Sequence, residues 1–270
     1  RCTDGASEMK VLKINNRRYL GSKYKLLPFI KKIVGEQCPG IHTVADIFAG
    51  TGAVASAFTD KKLITNDNMY SNYICHVAWF GGETFSAEKI AGLIEGYNEA
   101  RVSEDNYMSE NFADTYFSAA DCRKIGYIRE DIEIRYNCGE LNGRERALLI
   151  TSLLYAMDRI ANTCGHYDAY RRGNVPEDGL RLLIPDPDEC LNKGNVCYNT
   201  DANRLMDHIE ADLVYIDPPY NSRQYCDSYH LLENVARWEK PEVSGMARKM
   251  DRAGLKRRYC TRKAPEARAE

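Results

Sequence analysis

Four short apolar runs in this chain each end abruptly on a polar or small residue: "IHTVADIFAG" at 41–50, "KKLITND" at 61–67, "NVCYNTD" at 195–201 and "ADLVYID" at 211–217. Such runs suit strands covered on both faces, and strands of that kind pair in parallel. Parallel neighbours need crossover connections, so the runs predict an open α/β sheet with helices on its faces. Ligands gather at the carboxyl ends of such strands, which is where this chain places its Asp, Asn and Gly residues.

The stretch at 72–194 is too long for a simple crossover and should carry structure of its own. Within it, "NGRERALLITSLLYAMDRIANT" puts Leu149, Leu153, Ala156, Met157 and Ile160 on one face, with Asn142 and Glu145 spaced as a capping box, and so predicts a helix. The segments "GHYDAYRR" and "PEDGLRLLIPDPDE" are polar and rich in turn residues, and read as loops. The expected organisation is a discontinuous catalytic unit of residues 9–71 and 195–240, an insertion at 72–194, and a basic tail at 241–270.

The first run leads into a glycine turn, "DIFAGTGAVASAF", that reads as strand, turn and helix start. Asp46, Phe48, Gly50 and Gly52 lie on it, and small residues there let the backbone approach a ligand. Two cofactors compete for such a turn. Gly50, Gly52 and Ala55 match the G-x-G-x-x-G/A pattern of dinucleotide sites, with Asp67 near the distance of a ribose-binding acid, which would make the chain an NAD-dependent oxidoreductase. S-adenosylmethionine sites use a similar turn and a similar acid, and the turn alone does not decide between them.

The fourth run ends in "DPPYNSRQY" at 217–225. Two prolines cannot donate to a ladder, so they stop the strand and hold Asp217 and the Pro218 carbonyl at fixed separation without competing N–H groups. Two fixed acceptors suit an aromatic amine. The exocyclic nitrogen of adenine is a poor nucleophile until its lone pair is localised, and Asp217 and the Pro218 carbonyl, each accepting one N–H, would do that. Pro219 completes the rigid unit and Tyr220 would stack on the base. A base inside a duplex is out of reach, so it would have to be flipped. The methyl donor that fits this chemistry is S-adenosylmethionine, whose sulfonium needs no metal.

On "RRYLGSKYKLL" at 17–27, "DIFAGTG" at 46–52, "ND" at 66–67, "NTD" at 199–201 and "DPPYNSRQY" at 217–225, the chain resembles the DNA adenine-N6 methyltransferases, in particular the Dam-like group and its FokI-type modification methyltransferases. The resemblance runs from about residue 17 to 240. It implies a Rossmann-like methyltransferase sheet with a largely helical insertion, methyl transfer from S-adenosylmethionine to adenine in double-stranded DNA, and a place in a restriction–modification system with a cognate restriction endonuclease as partner. It implies that Tyr19 and Lys23 meet the methionine end of the cofactor, that Asp46, Phe48, Gly50 and Gly52 line its middle, and that Asp67 takes the ribose and Asp201 the adenine. Asp67 and Asp201 also fit plain strand-end or cap roles. DNA contacts are expected from the aromatic and arginine mixtures of Tyr167, Arg171 and Arg172 and of Arg223 and Tyr225.

The net charge of -2 gives no global footprint for nucleic acid, although Arg17, Arg18, Lys23, Lys25, Lys31 and Lys32 enrich one end and Arg248, Lys249, Arg252, Lys256, Arg257, Arg258, Arg262 and Lys263 the other. The ten cysteines form no C-x-x-C pair, so no metal is expected. No apolar run reaches the roughly 18 residues of a membrane span, and the expected location is cytoplasmic. Sheets of the resembled family carry further strands, yet nothing from Trp238 onward can form a buried one, and the fourth run is left as an open edge. The expectation is a truncated reading of a longer gene, with Met9 a more natural start than Arg1. A fragment that binds DNA without turnover is the non-enzymatic alternative.

Overall fold

In a computed structural model of the chain, the described residues are 11–17, 19–173, 175, 179–187, 194–219 and 224–256. The elements in chain order are α1 (Leu27–Gln37), β1 (Thr43–Asp46), β2 (Lys62–Asn66), α2 (Tyr70–Phe80), α3 (Ala87–Glu99), α4 (Tyr107–Phe112), α5 (Ala119–Asn137), α6 (Gly143–Ile160), β3 (Val196–Tyr198), α7 (Ala202–Met206), β4 (Leu213–Tyr215), α8 (Tyr225–Ser228) and α9 (His230–Arg237). All four apolar runs are strands of one sheet, in the order β3-β2-β1-β4, with every pairing parallel.

Alternation along the strands divides the core in two. Val44 and Leu63 face the main cluster, which continues without a break through α2 to α6 and α9. Ala45, Ile47 and Ile64 face a smaller cluster closed by Ala202 and Leu205 of α7. Among the described residues β4 pairs only with β1, and Ile216 just beyond it is 59% exposed.

α6 is the central helix. Asn142 Oδ1 accepts from the Glu145 amide at 2.9 Å, and Glu145 returns the bond to the Asn142 amide at 3.1 Å, so the expected capping box is present. Every residue from Ala147 to Met157 is buried, because α2, α3, α5 and α9 surround the helix. The polar "GHYDAYRR" segment is irregular, held by a bridge between Thr163 and Tyr170.

The helix expected after the glycine turn is replaced by turns and a 3-10 segment at Ala55–Phe58. Only 15 residues separate β1 from β2. Gly52 and Ser56 spend their amides on the Ala49 and Gly52 carbonyls, and Ala57 on Val54, which tightens the path into β2.

Two long-range ties fix α9 to the rest. Glu233, fully buried, receives the Tyr70 and Ser71 amides at 2.9 and 2.8 Å and so caps the N-terminus of α2. Arg129 of α5, also fully buried, donates to the Val235 and Ala236 carbonyls at the other end of α9. The eight-residue α9 thus gives a side chain to the start of α2 and receives one from α5 on the carbonyls of its last turn.

Candidate active site

The carboxyl ends of β1, β2 and β4 open into a cleft lined by Asp46, Phe48, Gly50 and Asp67, by Tyr19 to Lys23, and by Asp217, Pro218, Pro219 and Tyr225. Two motifs about 170 residues apart in sequence thus meet in one site.

The glycine turn is clamped from both sides. Gly50 (φ 54°) and Gly52 (φ 78°) adopt backbone conformations that disfavour side chains. A Cβ on Gly50 would stand 3.3 Å from the Tyr19 ring, and one on Gly52 would come within 2.8 Å of Phe80. Asp67 accepts the Gly50 amide at 3.0 Å and the Met69 amide at 2.8 Å, so it both locks the turn and leads into α2. Below the turn, His76 Nε2 lies 2.9 Å from the Gly50 carbonyl. Burial lowers the pKa of this imidazole, and because a carbonyl oxygen only accepts, Nε2–H is the donor in this contact. Asn66 completes the floor by donating to the Ile47 and Thr200 carbonyls, each at 3.1 Å.

Tyr19 forms the roof. Its ring stacks on Tyr229 at 4.6 Å and on Tyr225 at 5.4 Å, Arg17 lies over it at 5.4 Å, and its hydroxyl accepts from Asn72 at 3.0 Å. The Tyr229 hydroxyl in turn accepts the Leu20 amide at 2.7 Å, which fixes the path of the lysine-bearing segment. Arg17 is not a surface cation. Its side chain is fully buried, 2.9 Å from Asn72 Oδ1 and 3.7 Å from Asp158 Oδ2 of α6.

Asp46 is the electrostatic anomaly of the cleft. The residue is 2% exposed, and neither carboxylate oxygen reaches a hydrogen-bond partner. Burial first, and then the nearby Asp67 and Asp217 carboxylates, push its pKa up to about 7. An unsatisfied buried carboxylate lining a cleft suits an incoming ammonium group.

At the opposite wall, Asp217 and Pro218 are half-buried and Pro219 is buried. Lys23 forms an ion pair with Asp217 Oδ2 and also donates to the Gly21 carbonyl at 3.2 Å. The lysine therefore fixes one oxygen of the carboxylate.

The remaining expected residues are placed as follows. Asp201 is exposed, caps α7 by accepting the Asn203 amide at 3.0 Å, and stands outside the cleft lining. Tyr167, expected at a DNA surface, is instead 2% exposed and bonds Asp158 at 2.9 Å; its aromatic bulk fills the core beneath the 163–170 loop. Arg171 and Arg172 are exposed, and Tyr225 lines the cleft. Tyr220 and Arg223 lie outside the described residues. Sequence reasoning missed His76, Asn72, Asp158 and Glu233. The spacing of Asn72 and His76 on one face of α2, directly after the Asn66-Asp67 strand end, was the available signal for the first two.

The D12 class N6 adenine-specific DNA methyltransferase family model matches residues 19–260. The chain belongs to this family. It is 36% identical over 260 residues to modification methylase StsI of Streptococcus sanguinis, covering 91% of this chain and 40% of that protein. Type II methyltransferase M.FokI of Planomicrobium okeanokoites is 32% identical over 263 residues, covering 91% and 41% respectively. Type II methyltransferase M.NlaIII of Neisseria lactamica is 30% identical over 233 residues, covering 82% and 69%. The chain therefore spans about two fifths of the length of the first two relatives. Membership in a methyltransferase family implies a methyl donor, which removes the ground for a nicotinamide cofactor at the glycine turn. No described helix is long and apolar enough to cross a membrane.

Proposed function

We propose that this chain transfers a methyl group from S-adenosylmethionine to the N6 amino group of an adenine flipped out of double-stranded DNA, as the modification half of a cytoplasmic restriction–modification system. The observation that carries the reading is the meeting, in one cleft, of the clamped glycine turn with Asp217, Pro218 and Pro219.

The residues present fit the cofactor. The unsatisfied Asp46 carboxylate would take its amino group, the Tyr19 ring would cover its centre, and Asp67, on the cleft wall, would meet the ribose hydroxyls. When bound, the cofactor supplies an electrophilic sulfonium methyl, which leaves to the amine as the carbon–sulfur bond breaks and a neutral thioether remains. Asp217 accepts one N6–H and the Pro218 carbonyl the other, so the nitrogen lone pair is drawn out of the ring. The proton that N6 sheds passes to Asp217 and then to solvent. The rigid diproline unit supplies orientation rather than chemistry. Tyr220 would stack on the base, with Tyr225, Arg171 and Arg172 on the DNA side.

The test is incubation of the chain with methyl-labelled S-adenosylmethionine and unmethylated duplex DNA, followed by digestion to nucleosides. Label in N6-methyldeoxyadenosine is the expected result. Label in methylated cytosine, or cofactor binding with no transfer to any duplex, would overturn it.

A further inference from the structure

The most exposed large apolar side chain of the described residues belongs to none of the elements assigned above. Met246 is 72% exposed, in "SGMARK" at 244–249. This segment is a closed turn. Ser244 and Lys249 exchange amide–carbonyl bonds at 3.0 and 2.9 Å, the Arg248 amide donates to Gly245 at 3.1 Å, and both Gly245 (φ 71°) and Arg248 (φ 51°) take left-handed conformations. A tip so constrained loses little freedom when its side chain is engaged.

The base of the turn is bolted to the active site. Lys249 pairs with Asp168 at 2.8 Å, and Asp168 also accepts from Ser228 at 2.9 Å. Arg252 pairs with Asp227 at 2.7 Å, and the buried Tyr116 hydroxyl lies 3.0 Å from the Ala247 carbonyl and 2.7 Å from that of Tyr167. Asp227 and Ser228 end α8, the four-residue helix whose first residue, Tyr225, lines the cleft. Such a helix is about 6 Å long, so a single helical turn joins the residues that hold the base of the turn to the cleft wall.

Charge is divided between base and tip. Lys249 and Arg252 are consumed in ion pairs, whereas Arg248 on the turn and Arg171 and Arg172 on the adjoining loop are exposed and form no ion pair among the described residues. A free cation beside a protruding thioether suits a phosphate backbone with a base step next to it.

We propose that the 244–249 turn is a DNA-contacting element in which Met246 wedges into the base stack beside the target adenine while Arg248 holds the flanking phosphate. Unstacking by an apolar wedge offsets part of the cost of flipping, and methionine adapts to an irregular gap. The inference rests on the adenine-methylation reading.

The experiment first maps the sites that the wild-type chain methylates in unmethylated bacterial genomic DNA. Two oligonucleotide duplexes of that site are then compared, one fully paired and one with an abasic position opposite the target adenine, where flipping is already easy. Met246→Ala should lose about tenfold or more in kcat/KM on the paired duplex and recover to near wild type on the abasic one, with Met246→Leu retaining most activity. Arg248→Ala should raise KM on both duplexes and reduce the salt slope by about one. Equal activity of wild type and Met246→Ala on the paired duplex, or equal losses on both duplexes, would overturn the wedge and leave the methylation reading intact. A protein-docking role for Met246 would give the first of these results. No transfer by the wild-type chain to genomic DNA or either duplex would sink the methylation reading, and the wedge with it. An unchanged melting temperature for Met246→Ala separates the effect from misfolding.

Discussion

The two walls of the cleft are built to different standards. The glycine turn is held by Asp67, His76, Asn66 and Tyr19, each with a hydrogen bond or ring contact to the turn or its flanks. The Asp217 wall sits at the end of a strand with one neighbour, half-exposed, with the Lys23 ion pair as its side-chain restraint among the described residues. On the proposed function, the cofactor side is preformed and the base side is left for substrate to complete. A binding wall gains from rigidity, whereas a wall that must admit a flipped base needs an acceptor with one oxygen still open.

Mutations separate the walls. Asp217→Ala should lower methyl transfer about 10³-fold or more while leaving the S-adenosylmethionine dissociation constant within about threefold. Equal loss of both would mean that the walls are not independent. Gly52→Ala attacks the rigid side, forcing a Cβ at φ 78° against Phe80. A destabilisation of about 2–3 kcal/mol in a urea melt is expected, together with weaker cofactor binding, and Phe80→Leu in the same chain should restore part of it.

Lys23→Met probes the softer wall. With the ion pair gone, kcat should fall about tenfold through misorientation of Asp217, whereas stability changes by less than about 1 kcal/mol because the pair is partly exposed. An unchanged kcat with a weakened cofactor would return Lys23 to the methionine end.

The smallest effect is the pH response of Asp46. Its folded pKa, about 7, lies above the ordinary carboxylate value, so the folded state holds a proton that the unfolded state has lost. Stability from this group therefore falls as pH rises from about 4 to 7, and the cofactor-free chain should be on the order of 1 kcal/mol more stable at pH 6 than at pH 8 on its account. Cofactor binding runs the other way. Affinity needs the ionised carboxylate and should drop about threefold from pH 7.5 to 6.5, a dependence that Asp46→Asn abolishes in a titration series.

The four strands and α6 were legible because their signals are local: an apolar run closed by a polar residue, and an Asn142–Glu145 pair at capping distance. The pairing of Asp217 with the glycine turn was legible through motif chemistry. What sequence could not convey was facing. Arg17 reads as one of a basic series, yet it is sealed in the core against Tyr19, and Tyr167 reads as half of an aromatic–arginine surface, yet it is buried while Arg171 and Arg172 reach solvent. Which side of a segment is turned inward depends on partners distant in sequence, such as Asp158 for Arg17 and Ser228 for Tyr167. The expected helix after the glycine turn failed for a related reason, since helical residue types cannot overrule the short distance to β2.

The cap that Glu233 places on α2 also sets an order of events. Tyr70 and Ser71 precede it by 163 and 162 residues, so α2 leaves the ribosome long before its cap exists. At ordinary elongation rates the interval is about 10–30 s. Through that time α2, which carries His76 and Phe80 under the glycine turn, has four unsatisfied amides at its leading end. The floor of the cleft therefore cannot close until Glu233 has been made, and a cofactor that binds only the closed cleft would report synthesis through α9.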